Sequence, residues 1–281
     1  MVIIPCRVGQ LGNQLFHIAH FAASAIEHEY RIRFACFQYP LDCFPNLNSD
    51  PLIRVSQATV RRNRWQHHLF KILRMSLRAS PLHCCLVSEG PPHINTSTPE
   101  FVRAARSRAV LCEGFGFRDP DNVNKHHARL ANMFRLATSI CEEVDRYERE
   151  RLPKGDAIKV GFHVRRGDYG AYEGGSFLLD DRRWLELIRQ TRNHIRGEGK
   201  HFTGILFSNE EVRNLIESAE DLTMGPGGIF SDLEMLSRCD LIIAPPSTYS
   251  GWASFIGQVP LLRVDSTTTQ IDSSRFAIVA W

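Results

Sequence analysis

The run Val160-Gly161-Phe162-His163-Val164-Arg165-Arg166-Gly167-Asp168-Tyr169 joins a hydrophobic strand to two adjacent arginines. Residues 159–164 alternate and end on a β-branched residue, the pattern of a buried strand. Neighbouring residues on a strand point to opposite faces, so Arg165 and Arg166 need a bend to act together, and Gly167 permits one. A guanidinium is a planar fork that suits phosphate and keeps its charge at any working pH. Open α/β sheets bind ligands at the carboxyl ends of their strands, where these forks fall. Arg166-Gly167-Asp168 also spells an adhesion tripeptide, but that motif needs an exposed, flexible loop and here it abuts a strand.

Downstream the pattern is regular. A helix is expected from about Asp181 to Arg196 and a strand from Phe202 to Phe207. Ser208 and Glu211 then stand at capping-box spacing, as do Ser231 and Glu234 further on. Residues 240–244 and 259–264 read as strands, with a helix between them opening at Ser247-Thr248-Tyr249-Ser250-Gly251-Trp252. Strands alternating with helices imply a parallel sheet covered on both faces. Ser247 and Thr248 lie at a strand-to-helix junction, where hydroxyls either bind phosphate or cap the helix.

Upstream, Val2 to Cys6 reads as a first strand, followed by Gly9-Gln10-Leu11-Gly12-Asn13-Gln14 and a helical run from Leu15 to Ile26. This strand, glycine loop and helix would aim backbone N–H groups at a ligand, although it is neither a Walker loop nor a full G-x-G-x-x-G. Asn13 and Gln14 offer two amides, for ligand hydroxyls or for capping. Residues 31–37 read as a strand, 41–51 as a loop, and 110–117 as a short strand ending in Glu113-Gly114-Phe115-Gly116-Phe117. Asp119-Pro120-Asp121 matches an Asp-x-Asp metal motif in form, but Pro120 and Arg118 favour a helix start. One long or two shorter helices span 122–151, and Pro153-Lys154-Gly155 marks the expected boundary between domains 1–155 and 156–281.

The totals bound the function. The chain has 281 residues, room for one large or two ordinary domains, and 43% hydrophobic content, enough for a core. A net charge of +3 argues against wholesale nucleic-acid binding. Eight cysteines lack zinc spacing and read as reduced thiols of a cytosolic protein. The N-terminus does not resemble a signal peptide, and no run approaches a membrane span. Residues 52–110 carry ten Lys/Arg against two acids, Glu89 and Glu100. Within them, 61–78 is amphipathic, a helix docked on the core with a solvated basic face, or one lying against an anionic membrane surface.

Taken in order, the Gly9–Gln14 loop, the His163–Tyr169 motif, Asp232-Leu233-Glu234-Met235-Leu236-Ser237-Arg238-Cys239-Asp240 and the Ser247–Trp252 stretch resemble the α-1,2-fucosyltransferase family. That family lies within a wider group of α-1,6- and protein O-fucosyltransferases. The resemblance implies a GT-B fold, two Rossmann-like domains with parallel sheets facing a central cleft, the N-terminal domain on the acceptor side and the C-terminal one binding GDP-fucose. It implies inverting transfer of fucose to a galactose hydroxyl of a glycan, with no metal and no cofactor. The acceptor would be a cell-surface polysaccharide, and the enzyme cytoplasmic or peripheral on the inner membrane face. On the same resemblance Arg165 holds the donor phosphates with Arg166 in support, and His163 lies beside the nucleotide. Asp232 reads guanine, Ser247 and Thr248 contact phosphate, and Gly12 and Asn13 lie near the donor sugar. Asp168 is the first choice of general base, with Glu113 and His17 as acceptor-side rivals. Departures include Gln10 for a common second glycine, Phe207-Ser208-Asn209-Glu210 for Phe-Ser-Asp-Asp, and Gly251-Trp252 for an aromatic pair. Another fucosyl linkage such as α-1,6, or a catalytically silent GDP-sugar-binding protein, is the alternative.

Overall fold

Short apolar strands followed by helices or turns pair into two separate parallel sheets. The computed structural model of the chain describes residues 1–5, 8–58, 83–170, 172–217, 219–268 and 270–279. The basic stretch 61–78 lies outside the described residues. Two compact units divide the chain, Met1–Ala137 and Thr138–Val279. The division therefore falls ahead of the helix Thr138–Arg151, not after it at residue 155. Arg238 explains why: it is ion-paired with Asp145 and Glu148 of that helix and with Glu234.

In the first unit the sheet order is β3-β2-β1-β6-β4, built from β1 (Val2–Ile4), β2 (Ile32–Phe37), β3 (Ile53–Gln57), β4 (His83–Val87) and β6 (Ala109–Glu113). A small pair, β5 (Ile94–Asn95) with β7 (Phe117–Arg118), stands apart. Helix α1 runs from Leu11 to His28, four residues earlier than its periodicity suggests, so Gly12 and Asn13 lie in its first turn. It is apolar almost all round and buried along most of its length, as a helix within a core must be. Asp119 caps the short helix Pro120–Lys125, accepting from Asn122 N at 3.3 Å. The Asp-Pro-Asp triplet is thus a helix start, and among the described residues no cluster of His, Cys, Asp or Glu could hold a metal ion.

In the second unit the order is β10-β9-β8-β11-β12: β8 (Ala157–Val164), β9 (His201–Ser208), β10 (Leu222–Met224), β11 (Leu241–Ala244) and β12 (Leu261–Arg263). Every pairing between these five strands is parallel, and Leu261 of β12 adds an isolated antiparallel bridge to Ala277. Val160, Phe162 and Val164 of β8 are fully buried. Gly161 lets the next layer approach, since a Cβ there would lie 2.5 Å from Leu236 Cδ1. A helix from Asp181 to Gly197 is capped by Asp180, accepting from Arg183 N at 2.8 Å, and buries Trp184, Leu187, Ile188, Thr191 and Ile195 at helical spacing. Neither expected capping box forms. Ser208 accepts from Glu210 N at 3.2 Å in a turn, and the following helix is only Arg213–Ile216. Ser231 lies inside the helix Ile229–Leu236 and donates to Glu143 at 2.9 Å. Among the described residues, no helix is long and apolar enough to cross a membrane.

Burial also corrects one acceptor-side expectation. His17 has no exposed surface; it packs against Phe21, Phe34 and Phe115, and neither ring nitrogen has a hydrogen-bond partner. One turn on, His20 is equally buried and accepts from Asp119 N at 3.0 Å. Helical spacing puts both rings on the core face of α1, so His17 cannot meet an acceptor. Burial first, then the nearby Arg118 charge, lowers both pKa values to about 3. Above the ordinary value of 6.5 neither folded nor unfolded chain binds these protons; below it only the unfolded chain does. Stability should therefore fall as pH drops from 6.5 towards 3. The melting temperature should decline across that range, and His17→Phe should flatten the decline. An equal slope in that variant would contradict the assignment.

Candidate functional site

The direction of winding in the second sheet reverses between β8 and β11, the place where doubly wound sheets bind ligands. From β8 come His163 and Arg165. Arg165 is half-buried, with its guanidinium 4.9 Å from the ring centroid of Tyr169. His163 is buried, its ring centroid 5.3 Å from that of Tyr249, and its Nδ1 has no hydrogen-bond partner. Burial and then the Arg165 charge depress its pKa to about 3, so the ring is a neutral imidazole at working pH.

From β11 comes the start of helix Thr248–Gly257. Ser247 caps it, accepting from Tyr249 N at 3.2 Å, and no acid occupies the first turn. The positive end of its dipole therefore lies at the same sheet edge as Arg165, since β8 and β11 are parallel neighbours, without a competing carboxylate in that turn. Tyr169 O–H donates to the carbonyl of Pro246, and Tyr249 O–H donates to the carbonyl of Ile229 at 2.7 Å.

Asp232 lies at the rim of the same edge, in the first turn of Ile229–Leu236. Its Oδ1 accepts from Gly227 N at 2.8 Å. A Cβ on Gly225 would come within 2.9 Å of that oxygen and 2.7 Å of the Phe207 ring, so glycine is required for this approach. Burial pushes the Asp232 pKa up to about 6; the Gly227 N–H opposes the rise and Glu143 adds to it.

Arg166 goes elsewhere. It is ion-paired with Asp181 at the head of helix Asp181–Gly197, and its backbone N–H donates to Asn209 at 3.1 Å. Gly167 does adopt a positive φ of 64°. The bend comes after both arginines, however, so they serve different partners. Asp168 lies in the 3-10 turn Gly167–Gly170, and its side chain falls outside the described residues.

In the first sheet β1 lies between β2 and β6, and the chain reaches β6 from the edge strand β4, so the winding differs from that of the second sheet. Gly9, with φ 54°, allows the Asn13 side chain to lie over it, where a Cβ would be 2.0 Å from Asn13 Nδ2. Gln14 is fully buried and structural: it donates to Gly9 O at 3.1 Å and to Gln38 Oε1 at 3.0 Å, and accepts from Gln38 N at 3.1 Å. Glu113, half-buried at the carboxyl end of β6, accepts through its backbone carbonyl from Ser88 N at 3.0 Å. Asn13, Gly12 and Glu113 therefore all belong to this edge. Tyr169 and Tyr249, which hold the crevice of the second unit together, had no role assigned from sequence; their place inside two of the quoted motifs was the available signal.

A groove of about 1100 Å³ opens at the opposite, amino-terminal edge of the second sheet. Its Arg192 and Arg196 share one carboxylate, Asp221, at 2.8 and 3.0 Å, and Glu150, Asp156 and Glu220 line the groove as well. Ligand binding at open sheets also favours the other edge.

Neither a scan of protein-family models nor a search of curated proteins found a match. Solved structures do match. A mutant of Arabidopsis thaliana FUT1 in complex with GDP aligns with TM-score 0.63 at 12% identity, over 98% of this chain and 72% of that one. POFUT1 in complex with GDP aligns with TM-score 0.53 at 13% identity, over 93% and 97%. The fucosyltransferase NodZ from Bradyrhizobium gives 0.53 at 14% identity, over 96% and 98%; NodZ described as an alpha-1,6-fucosyltransferase and soaked with GDP-fucose gives 0.51 at 14%, over 95% of each chain. The fold of this chain is accordingly the two-unit, Rossmann-like α/β architecture of GT-B proteins.

Proposed function

We propose that this protein is an inverting, metal-independent fucosyltransferase that uses GDP-fucose and forms an α-1,2 linkage to a galactose hydroxyl of a glycan. The observation that carries the donor half is the convergence, at one sheet crevice, of Arg165, the neutral His163 and the acid-free helix start at Ser247 and Thr248. In support, proteins sharing the fold are described in complex with GDP or soaked with GDP-fucose.

As the glycosidic bond breaks, negative charge grows on the departing diphosphate. Arg165 and the N–H groups of the helix start would neutralise it in a pre-organised site, the task a cation performs in metal-dependent transferases. Asp232, once ionised, can accept from guanine N1–H and N2–H together, a pairing adenine cannot reproduce. The acceptor hydroxyl loses its proton to Asp168 or Glu113. An α-1,6 linkage is the second reading, favoured by the NodZ fold match, and NMR of the product linkage separates the two.

Arg165→Ala should lower kcat by about 10²- to 10³-fold while the fold persists, and wild-type turnover of GDP-fucose with a galactoside should survive EDTA. Near-normal turnover in that variant, or loss of activity on chelation, would contradict the mechanism. Of Asp168→Asn and Glu113→Gln, the variant that removes the base should lose ~10²–10⁴-fold in kcat with GDP affinity unchanged. If neither loses activity, neither carboxylate is the base. Asp232 must be ionised to bind guanine, and its pKa near 6 means that a proton competes below that pH. GDP affinity should therefore weaken by about tenfold per unit as pH falls below the pKa, and Asp232→Asn should abolish that dependence. A flat profile in the wild type would remove Asp232 from base recognition.

A further inference from the structure

Tyr169 is 7% exposed and makes two contacts that reach the two sides of the crevice. Its ring carries the Arg165 guanidinium, 4.9 Å from the centroid. Its hydroxyl donates to the carbonyl of Pro246, the residue just before the Ser247 cap. A single side chain thus touches both the cation at the end of β8 and the turn that launches the following helix from β11.

We infer that Tyr169 is a positioning residue for a nucleoside diphosphate, setting the separation between Arg165 and the Ser247–Thr248 helix start. The inference rests on the donor reading above and adds a residue to it. Each property of tyrosine has a use here. An arginine has several rotatable bonds, and ordering them on ligand binding costs affinity; stacking on a buried ring meets that cost in advance. The guanidinium carbon lies 4.9 Å from the ring centroid, a cation–π contact that an arginine can keep while its fork binds a phosphate. The hydroxyl ties the ring itself to the opposite wall. Phenylalanine would keep the stack and lose the tie; leucine would lose both. Neither contact involves the rim where Asp232 lies, so the effect should fall on the phosphates and spare the base.

Calorimetric titration with GDP and with guanosine, on the full chain, tests this. Tyr169→Leu should weaken GDP by about tenfold or more and Tyr169→Phe by a smaller factor, with guanosine changed less than about twofold in both. In an Arg165→Ala background, Tyr169→Leu should cost GDP little further, because the two residues act as one unit. Parallel loss of GDP and guanosine, or full additivity with Arg165→Ala, would overturn the inference in favour of a merely structural tyrosine. Should the leucine variant not fold, the phenylalanine variant decides: unchanged GDP binding with it rejects the tie to Pro246. A wild-type protein that binds neither GDP nor guanosine would instead reject the donor reading, and this inference with it.

Discussion

The contact of Arg165 with the Tyr169 ring, with the tyrosine bonded to the Pro246 carbonyl, is the interaction on which the proposed donor site depends. A diphosphate leaving group needs positive charge that is already in place, because reorganising a flexible cation during the reaction would return much of the gain. The sheet supplies the framework. β8 and β11 are buried, parallel neighbours whose carboxyl ends open on the same edge, and the reversal of winding between them leaves room that a continuous layer of helices would fill. Fixed strand register then becomes fixed placement of Arg165 against the start of helix Thr248–Gly257.

Strands with many buried apolar positions announce themselves, and this is why β8 was legible by its alternation and β9 and β11 by their apolar runs. β3, β4 and β10 were not. Ile53–Gln57 carries Arg54 and Gln57, His83–Val87 sits in a basic region, and Leu222–Met224 has only three residues. Short strands at sheet edges need no strong pattern, because one neighbour and one covered face suffice. Capping spacing misled twice, for different reasons: Ser208 closes a local turn with Glu210 N, whereas Ser231 is satisfied by Glu143, a contact across 88 residues of chain that no local pattern contains.

The arginine pair shows the same limit. Motif order placed both arginines on the donor, yet alternation along the backbone sends adjacent side chains apart, and Arg166 is ion-paired with Asp181. The residue types at the crevice were readable from sequence, whereas the division of labour between them was set by packing. His17 makes the point from the other side. A histidine near a glycine loop suggests chemistry, but its phase on α1 points it into a wall of phenylalanines, where it stays neutral. The run of apolar residues on every side of α1, rather than its phase, was the signal that the whole helix lies in the core.

The most direct measurement is a crystal structure of the protein soaked with GDP. The account expects the diphosphate within hydrogen-bonding distance of the Arg165 guanidinium and of the backbone N–H groups at the start of helix Thr248–Gly257. A diphosphate bound instead in the groove beside Arg192 and Arg196, or anywhere out of reach of Arg165, would contradict it.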